Sequence, residues 1–193
     1  MRFPLLVAAS AVLTGGCADT PQAKFYTLSA RPPQERAQTA APVRISIESV
    51  TVPDLVDRPQ IVVRVDATQV GIDEFARWAE PLKAQVTRVL AADLAQSVPG
   101  ALVSGYPPWA GEARTYRVLV DVQSFESALG DTATMVVLWT VHSPNPGDPV
   151  TGRTIVHEPT DGQGYDALVD AHSRALATVS ADIARAIRAT LRP

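Results

Sequence analysis

The residues of this 193-residue chain that could do chemistry are one cysteine, three histidines and a few arginine–aromatic–carboxylate clusters. A nucleophile finds no partner. There is no G-x-S-x-G elbow. His142, His157 and His172 form neither an H-E-x-x-H nor an H-x-H pair. His157 and Glu158 are adjacent, and adjacent strand residues point to opposite faces. His172 falls on an apolar helical stripe, which suits a core-edge residue with a satisfied ring nitrogen better than a ligand. Phosphate cradles of the G-x-x-x-x-G-K or G-x-G-x-x-G type are absent. Asp161-Gly162-Gln163-Gly164 reads as a flexible lead into the last helix. The expectation is a non-enzyme with no catalytic residues, no metal and no cofactor.

The cysteine is informative through its position. Arg2 supplies a positive n-region, Phe3 to Leu13 an apolar h-region, and Thr14, Gly15 and Gly16 lead into Cys17. That is the layout of a secretory signal peptide. No charge interrupts residues 3–18, a run shorter than the ~20 residues a membrane-spanning helix needs. A small-residue site ending in Cys is also the bacterial lipoprotein pattern, in which the thiol is acylated by fatty chains such as palmitate and becomes the new N-terminus. Thr14 occupies the place where that pattern usually has Leu, and Leu13 sits one place further out. The alternative is an ordinary signal peptide followed by a free thiol. One acyl chain gives only marginal membrane binding, at about 0.8 kcal/mol per buried CH2, whereas several on one cysteine make a lasting anchor. In the Gram-negative lipoproteins this signal resembles, Asp directly after the cysteine tends to hold the protein at the inner membrane; here Ala18 follows and Asp19 comes one place later, so the resemblance implies the periplasmic face of the outer membrane. Ala18 to Ala23 then form a tether of roughly 20 Å at about 3.3–3.6 Å per residue. The division expected is 1–16 signal peptide, 17–23 lipidated tether and 24–193 a single α+β domain.

Two stretches hold polar residues in unusual company. In Pro53 to Arg64, Asp57, Arg58 and Gln60 surround Pro59 just ahead of a β-branched run. In Arg77 to Leu82, Arg77, Trp78 and Glu80 precede a helix. One reading is structural, with Arg58 paired to a carboxylate and Trp78 covering a helix end. The other is a recognition edge, since Arg and Trp are enriched as interface anchors. The loop Ser104 to Arg114, with Tyr106, Pro107, Pro108 and Trp109, is a third candidate.

The composition is 46% apolar and 19% charged with a formal net charge of -3, enough to build a core and with no electrostatic case for nucleic acid. Loss of residues 1–16 removes Arg2 and leaves 16 basic against 20 acidic residues, without a polybasic lipid-binding patch. A single cysteine excludes an internal disulfide framework.

Periodicity supplies the elements that position these residues. Lys24 to Ser29 is a short strand. Val43 to Val50 alternates and ends at Pro53. Gln60 to Val65 is apolar on both faces and reads as a central strand. Thr68 to Ile72 adds a short one. Leu82, Val86, Val89, Leu90, Leu94 and Val98 mark an amphipathic helix over Pro81 to Val98, stopped by Pro99-Gly100. Thr115 to Phe125 alternates, and Thr132 to Val141 is apolar on both faces. Ser143 to Gly152 is a turn-rich hairpin loop, and Arg153 to His157 returns. From Tyr165 to Leu191 one apolar stripe defines a helix about 40 Å long. Asp166 near its start and Arg185, Arg188 and Arg192 near its end suit the helix dipole. The order strands, helix, three strands, helix predicts an α+β fold with a mixed or antiparallel sheet and both helices on one face. Val62, Leu119, Val136 and Leu138 would then point to the other face, either covered by the protein or offered to a partner.

The chain resembles the PqiC family of periplasmic lipoproteins, also described as ABC-type transport auxiliary lipoprotein components. The matching pieces are Cys17; F-Y-T-L at Phe25 to Leu28; D-R-P-Q-I-V-x-R at Asp57 to Arg64; R-W-A-E-P-L at Arg77 to Leu82; F-E at Phe125-Glu126; Trp139; and A-H-S-R-A-L-A-x-x-S-x-D-I-A at Ala171 to Ala184. The resemblance implies a non-catalytic lipoprotein that accompanies MCE-domain proteins, which carry lipids between the inner and outer membranes. It implies a docking component at the distal end of the periplasmic bridge, anchored through Cys17, with a ring-shaped homo-oligomer as a further expectation. Asp57, Arg58, Gln60, Arg77, Trp78 and Glu80 are the expected partner-binding residues. The alternative function is a lipid carrier or chaperone holding a phospholipid in an apolar pocket.

Overall fold

The computed structural model describes residues 22–32, 42–105 and 114–191. Cys17, Arg192 and the loop residues Tyr106, Pro107, Pro108 and Trp109 lie outside the described residues.

The order is β1 (Lys24–Tyr26), β2 (Val43–Thr51), β3 (Gln60–Arg64), β4 (Val70–Trp78), α1 (Leu82–Ser97), β5 (Ala101–Ser104), β6 (Thr115–Ser127), β7 (Thr132–His142), β8 (Val150–Pro159) and α2 (Tyr165–Thr190). The strands form a five-stranded sheet, β5-β2-β6-β7-β8, and a three-stranded sheet, β1-β4-β3. β5, β2 and β6 run parallel, and β6, β7 and β8 are antiparallel. Parallel neighbours need a long crossover. Between β2 and β5 it is supplied by β3, β4 and α1. The fold is α+β with mixed sheets, as expected.

Both helices lie on one face of the five-stranded sheet and on each other. Ile45, Ile47, Val118, Val120, Val122, Met135 and Val137 face them and are buried. From the helices come Val86, Val89, Leu90, Leu94, Leu168, Leu176, Ile183 and Ile187. Two β-bulges set which side chains reach this core. A register shift between Ile47 and Ser49 returns Val50 to the buried face. A second, between Val122 and Ser124, reverses the alternation of β6 so that Phe125 and Ser127 point inward and Glu126 outward.

The segment between β1 and residue 32 is strapped across the helices. Leu28 N–H donates to Gln85 Oε1 at 2.7 Å, Ser29 N–H to Ser173 Oγ at 3.1 Å, and Arg31 N–H to Asp93 Oδ1 at 2.9 Å. Gln96 Nε2 donates back to the Arg31 carbonyl at 2.8 Å. Extended chain without a sheet neighbour must satisfy its backbone in some way, and helix side chains do so here. Burial raises the Asp93 carboxyl above its ordinary pKa, although the Arg31 N–H and the Ser180 hydroxyl pull it back.

Four details differ from the sequence expectation. Strands are divided between two sheets rather than one. β3 is an edge strand, not a central one; its side chains are buried because the β3–β4 hairpin packs against β6. β4 extends from Val70 through Trp78, well beyond Ile72, and the four-residue β5 makes four strands between the helices rather than three. His172 is a fully buried core residue, not one at the core edge. On the helix-free face of the five-stranded sheet, Leu138 is 36% and Ile155 51% exposed, with Leu119 and Val136 half-buried, whereas Val62 belongs to β3 of the other sheet and is buried.

Candidate functional site

The two polar stretches singled out in the sequence are brought together by strand pairing. Gln60 on β3 is the register partner of Arg77 on β4. Trp78 N–H continues the ladder by donating to the Pro59 carbonyl at 2.7 Å. On the other side of β4, Phe25 pairs with Arg77 and Tyr26 with Trp78, and Ala79 N–H donates to the Tyr26 carbonyl at 2.8 Å. The loop ahead of β3 is closed by Val56 and Asp57 N–H groups, both donating to the Pro53 carbonyl. These contacts leave a shallow depression of about 400 Å3 lined by Asp57, Arg58, Pro59, Trp78, Ala79, Glu80 and Pro81. Gln60 and Arg77, the neighbours of Pro59 and Trp78 in sequence, are not among its lining residues.

The depression is rimmed by charge and floored by tryptophan. Asp57 and Glu80 are exposed and Arg58 half-buried, while Trp78 is only 4% exposed. Arg58 Nε and Arg77 Nε are buried without a hydrogen-bond partner, and neither guanidinium has an ion-pair partner among the described residues. Glu80 is 3.6 Å from Arg88 Nε on α1. Gln85 fixes the depression to the helix. It is fully buried, accepts from Leu28 N–H and donates Nε2 to the Glu80 carbonyl at 2.9 Å. Sequence reading missed Gln85, because a glutamine inside an amphipathic helix carries no signal of its own.

Beneath the floor the separate motifs meet. The Trp78 ring lies edge-on to Phe125 at 6.2 Å, and Phe125 stacks on His172 at 3.9 Å with an 8° interplanar angle. His172 Nε2 is 2.7 Å from Ser127 Oγ, and its Nδ1 is buried without a partner. Burial lowers the His172 pKa to about 3, so the imidazole is neutral at physiological pH. Arg64, at the end of one motif, pairs with Glu126 of another at 2.8 Å. Trp139 Nε1 donates to Thr154 Oγ1 at 3.0 Å, which donates to Asp182 Oδ2 at 2.8 Å. The motif residues therefore join β4, β6, β7, β8 and α2 to one another. Among the described residues no cluster of His, Cys, Asp and Glu has the makings of a metal site.

The sequence matches the family model for the ABC-type transport auxiliary lipoprotein component over residues 26–184, and the chain belongs to that family. The family places it among the cell-envelope lipoproteins that accompany a transport system. No curated protein matches it by sequence. A crystal structure of an uncharacterized protein is similar with a TM-score of 0.71 at 23% identity, covering 86% of this chain and 99% of that one. Protein XCC0632 from Xanthomonas campestris, of the DUF330 family, is similar with a TM-score of 0.63 at 18% identity, covering 83% and 92%. Both likenesses are of fold. A PelC dodecamer from Paraburkholderia phytofirmans aligns at a TM-score of 0.40 and 11% identity, over 80% of this chain and 95% of that one. No helix among the described residues is long and apolar enough to cross a membrane.

Proposed function

We propose that the chain is a non-catalytic periplasmic lipoprotein of the outer membrane that docks an MCE-type intermembrane lipid transport system. Residues 1–16 are its signal peptide, Cys17 carries the acyl chains, 17–23 are the tether, and 24–193 form the single docking domain. The observation that carries the reading is the convergence of two distant polar stretches on one rim, above a buried tryptophan, in a member of an auxiliary lipoprotein family. Asp57, Arg58 and Glu80 contact the MCE-domain partner, Gln60 and Arg77 border the contact, and Trp78 holds its floor. Unpaired guanidinium groups beside a tryptophan suit a partner segment presenting carboxylates or backbone carbonyls. A ring of this chain would match a ring-shaped partner. The carrier alternative finds less support. The described depressions, of about 190, 410 and 400 Å3, are open to solvent and have mixed polar and apolar linings rather than a deep apolar interior.

The test is a pull-down from detergent-solubilised envelopes with a C-terminally tagged chain, as wild type and as Cys17→Ser. Co-purification of an MCE-domain protein, with the wild type in outer-membrane fractions and Cys17→Ser released, is the expected result. Phospholipid on the Cys17→Ser protein without any MCE partner would overturn it in favour of a carrier.

A further inference from the structure

The three-stranded sheet exposes two phenylalanines on the face turned away from the core. Phe25 on β1 is 65% exposed and Phe75 on β4 is 46% exposed. Phe25 is the register partner of Arg77, and Phe75 lies two residues before Arg77 on the same strand. Phe25 and Arg77 therefore share one face, opposite that of the buried Ala76 and Trp78, and Phe75 is exposed where β4 enters that segment. Arg77, half-buried on that face, has no ion-pair partner among the described residues. Two exposed phenyl rings beside an unpaired guanidinium make a patch without an internal explanation.

What lies against this patch is indicated by where the chain comes from. Phe25 is eight residues after Cys17. Fully extended, that segment reaches roughly 28 Å, and as a flexible coil it averages about 15 Å. If Cys17 is acylated, the face bearing Phe25 is held nearest the bilayer. Apolar rings with an Arg beside them match the acyl–headgroup boundary, where the rings enter the apolar layer and the cation meets phosphate. We infer that Phe25, Phe75 and Arg77 form a membrane-contacting face that seats the domain on the lipid surface carrying its own anchor. This inference rests on the lipid-anchor reading. It goes beyond that reading because an acylated cysteine on a free tether would leave the domain unoriented.

The experiment uses the full lipidated chain in vesicles of phosphatidylethanolamine and phosphatidylglycerol, with or without brominated acyl chains. Phe75→Trp reports on the patch, and Ile155→Trp reports on the helix-free face of the five-stranded sheet. The mass of the N-terminal peptide and retention in the vesicle fraction establish the anchor separately. Bromolipid should quench the added emission of Phe75→Trp by about half or more and that of Ile155→Trp by less than about a tenth, since bromines reach only rings at the acyl boundary. Phe25→Ser/Phe75→Ser in the Ile155→Trp background should stay anchored with an unchanged melting temperature. An anchored protein with Phe75→Trp unquenched overturns the inference while leaving the anchor reading intact. So does retention of lipid contact by Phe25→Ser/Phe75→Ser but loss of its self-association or of its MCE partner, which would assign the patch to protein. An unacylated Cys17 overturns the anchor reading itself.

Discussion

The proposed docking site contains residues with opposite structural duties, and a pair of substitutions separates them. Trp78 is 4% exposed and packs edge-on against Phe125. A tryptophan buries up to about 250 Å2, worth about 6 kcal/mol at ~25 cal/mol per Å2 as an upper limit. Measured truncations of buried aromatics cost about 3–5 kcal/mol. For a domain of this size each kcal/mol lowers the melting temperature by about 2–4 °C, so Trp78→Ala should lower it by about 6–20 °C. Arg58 differs. Its Nε is buried without a partner, so Arg58→Ala removes an unsatisfied donor and breaks no ion pair. Its melting temperature should stay within about 2 °C, with a stability change of ~0.5 kcal/mol or less. The assay is thermal unfolding of each variant followed by circular dichroism, with capture of the MCE-domain partner measured on the same preparations. Arg58→Ala should lose capture while folded, and Trp78→Ala should lose it only in proportion to unfolding. If Trp78→Ala melts within about 2 °C of the parent, the packing argument is refuted; if Arg58→Ala melts as low as Trp78→Ala, Arg58 is a structural residue and the recognition argument fails.

Further outcomes follow from other contacts. The neutral His172, with its pKa lowered from 6.5 to about 3, gives full stability above pH ~6.5 and loses it as the pH falls toward 3, because the unfolded chain takes up the proton first. Urea unfolding should therefore show about 2 kcal/mol less stability at pH 5 than at pH 7 from this group. His172→Gln should flatten that slope, and the comparison cancels the contribution of Asp93, whose raised pKa acts in the opposite sense. Gly152 faces the Trp139 ring so closely that an added Cβ would lie 2.1 Å from it. Gly152→Ala should displace the indole, break its bond to Thr154 and cost about 1–3 kcal/mol, read as a shift in tryptophan emission and a lower urea midpoint. The Arg64–Glu126 pair is 38% and 45% exposed, so a double-mutant cycle on Arg64→Ala and Glu126→Ala should give a coupling under about 1 kcal/mol.

Elements whose burial follows a single period were legible in the sequence. The α2 stripe from Tyr165 onward, the α1 stripe and the alternation of β2 and β6 each report one face against one core, and the structure has them within a residue or two. What escaped depends on contacts the period does not encode. The Ile61-Val62-Val63 run reads as central because both faces are apolar, but cover on two faces does not require a strand on two sides; the second cover is β6. β4 runs beyond the expected Thr68–Ile72 strand because its far end, Ala76 to Trp78, pairs with β1, while its pairing with β3 is interrupted between Gln60 and Val62. There the backbone turns locally, with Phe75 N–H bonded to Asp73 Oδ1 at 2.8 Å. Phe125 falls on the polar face of a strict alternation, and only the bulge after Val122 turns it inward. At the site, the sequence placed Asp57, Arg58, Trp78 and Glu80 in two stretches; that they share one depression follows from the Gln60–Arg77 register, which no single stretch contains.

The motifs that relate this chain to its family therefore divide by burial. Trp78, Phe125 and His172 form one internal stack, Arg64 and Glu126 close the hairpin onto β6, and Trp139, Thr154 and Asp182 fasten two strands to α2. These residues fix shape, so a match in them is testimony to fold more than to recognition. On the proposed function, recognition falls to groups that the shape leaves unpaired, Arg58 at the depression and Arg77 on the sheet face beside it. Their position relative to the N-terminus gives the arrangement its functional sense. β1, the first strand after the tether, is hydrogen-bonded to the end of β4 that floors the depression. The strap after β1 is bonded to Gln85, which also holds the Glu80 carbonyl. Tension on an acylated Cys17 would thus pass into the docking rim through a three-residue strand and one glutamine, without crossing the large sheet. On the proposed function, a docking rim this near an acylated Cys17 requires the partner to reach almost to the bilayer surface, so that lipid can leave the bridge without entering water.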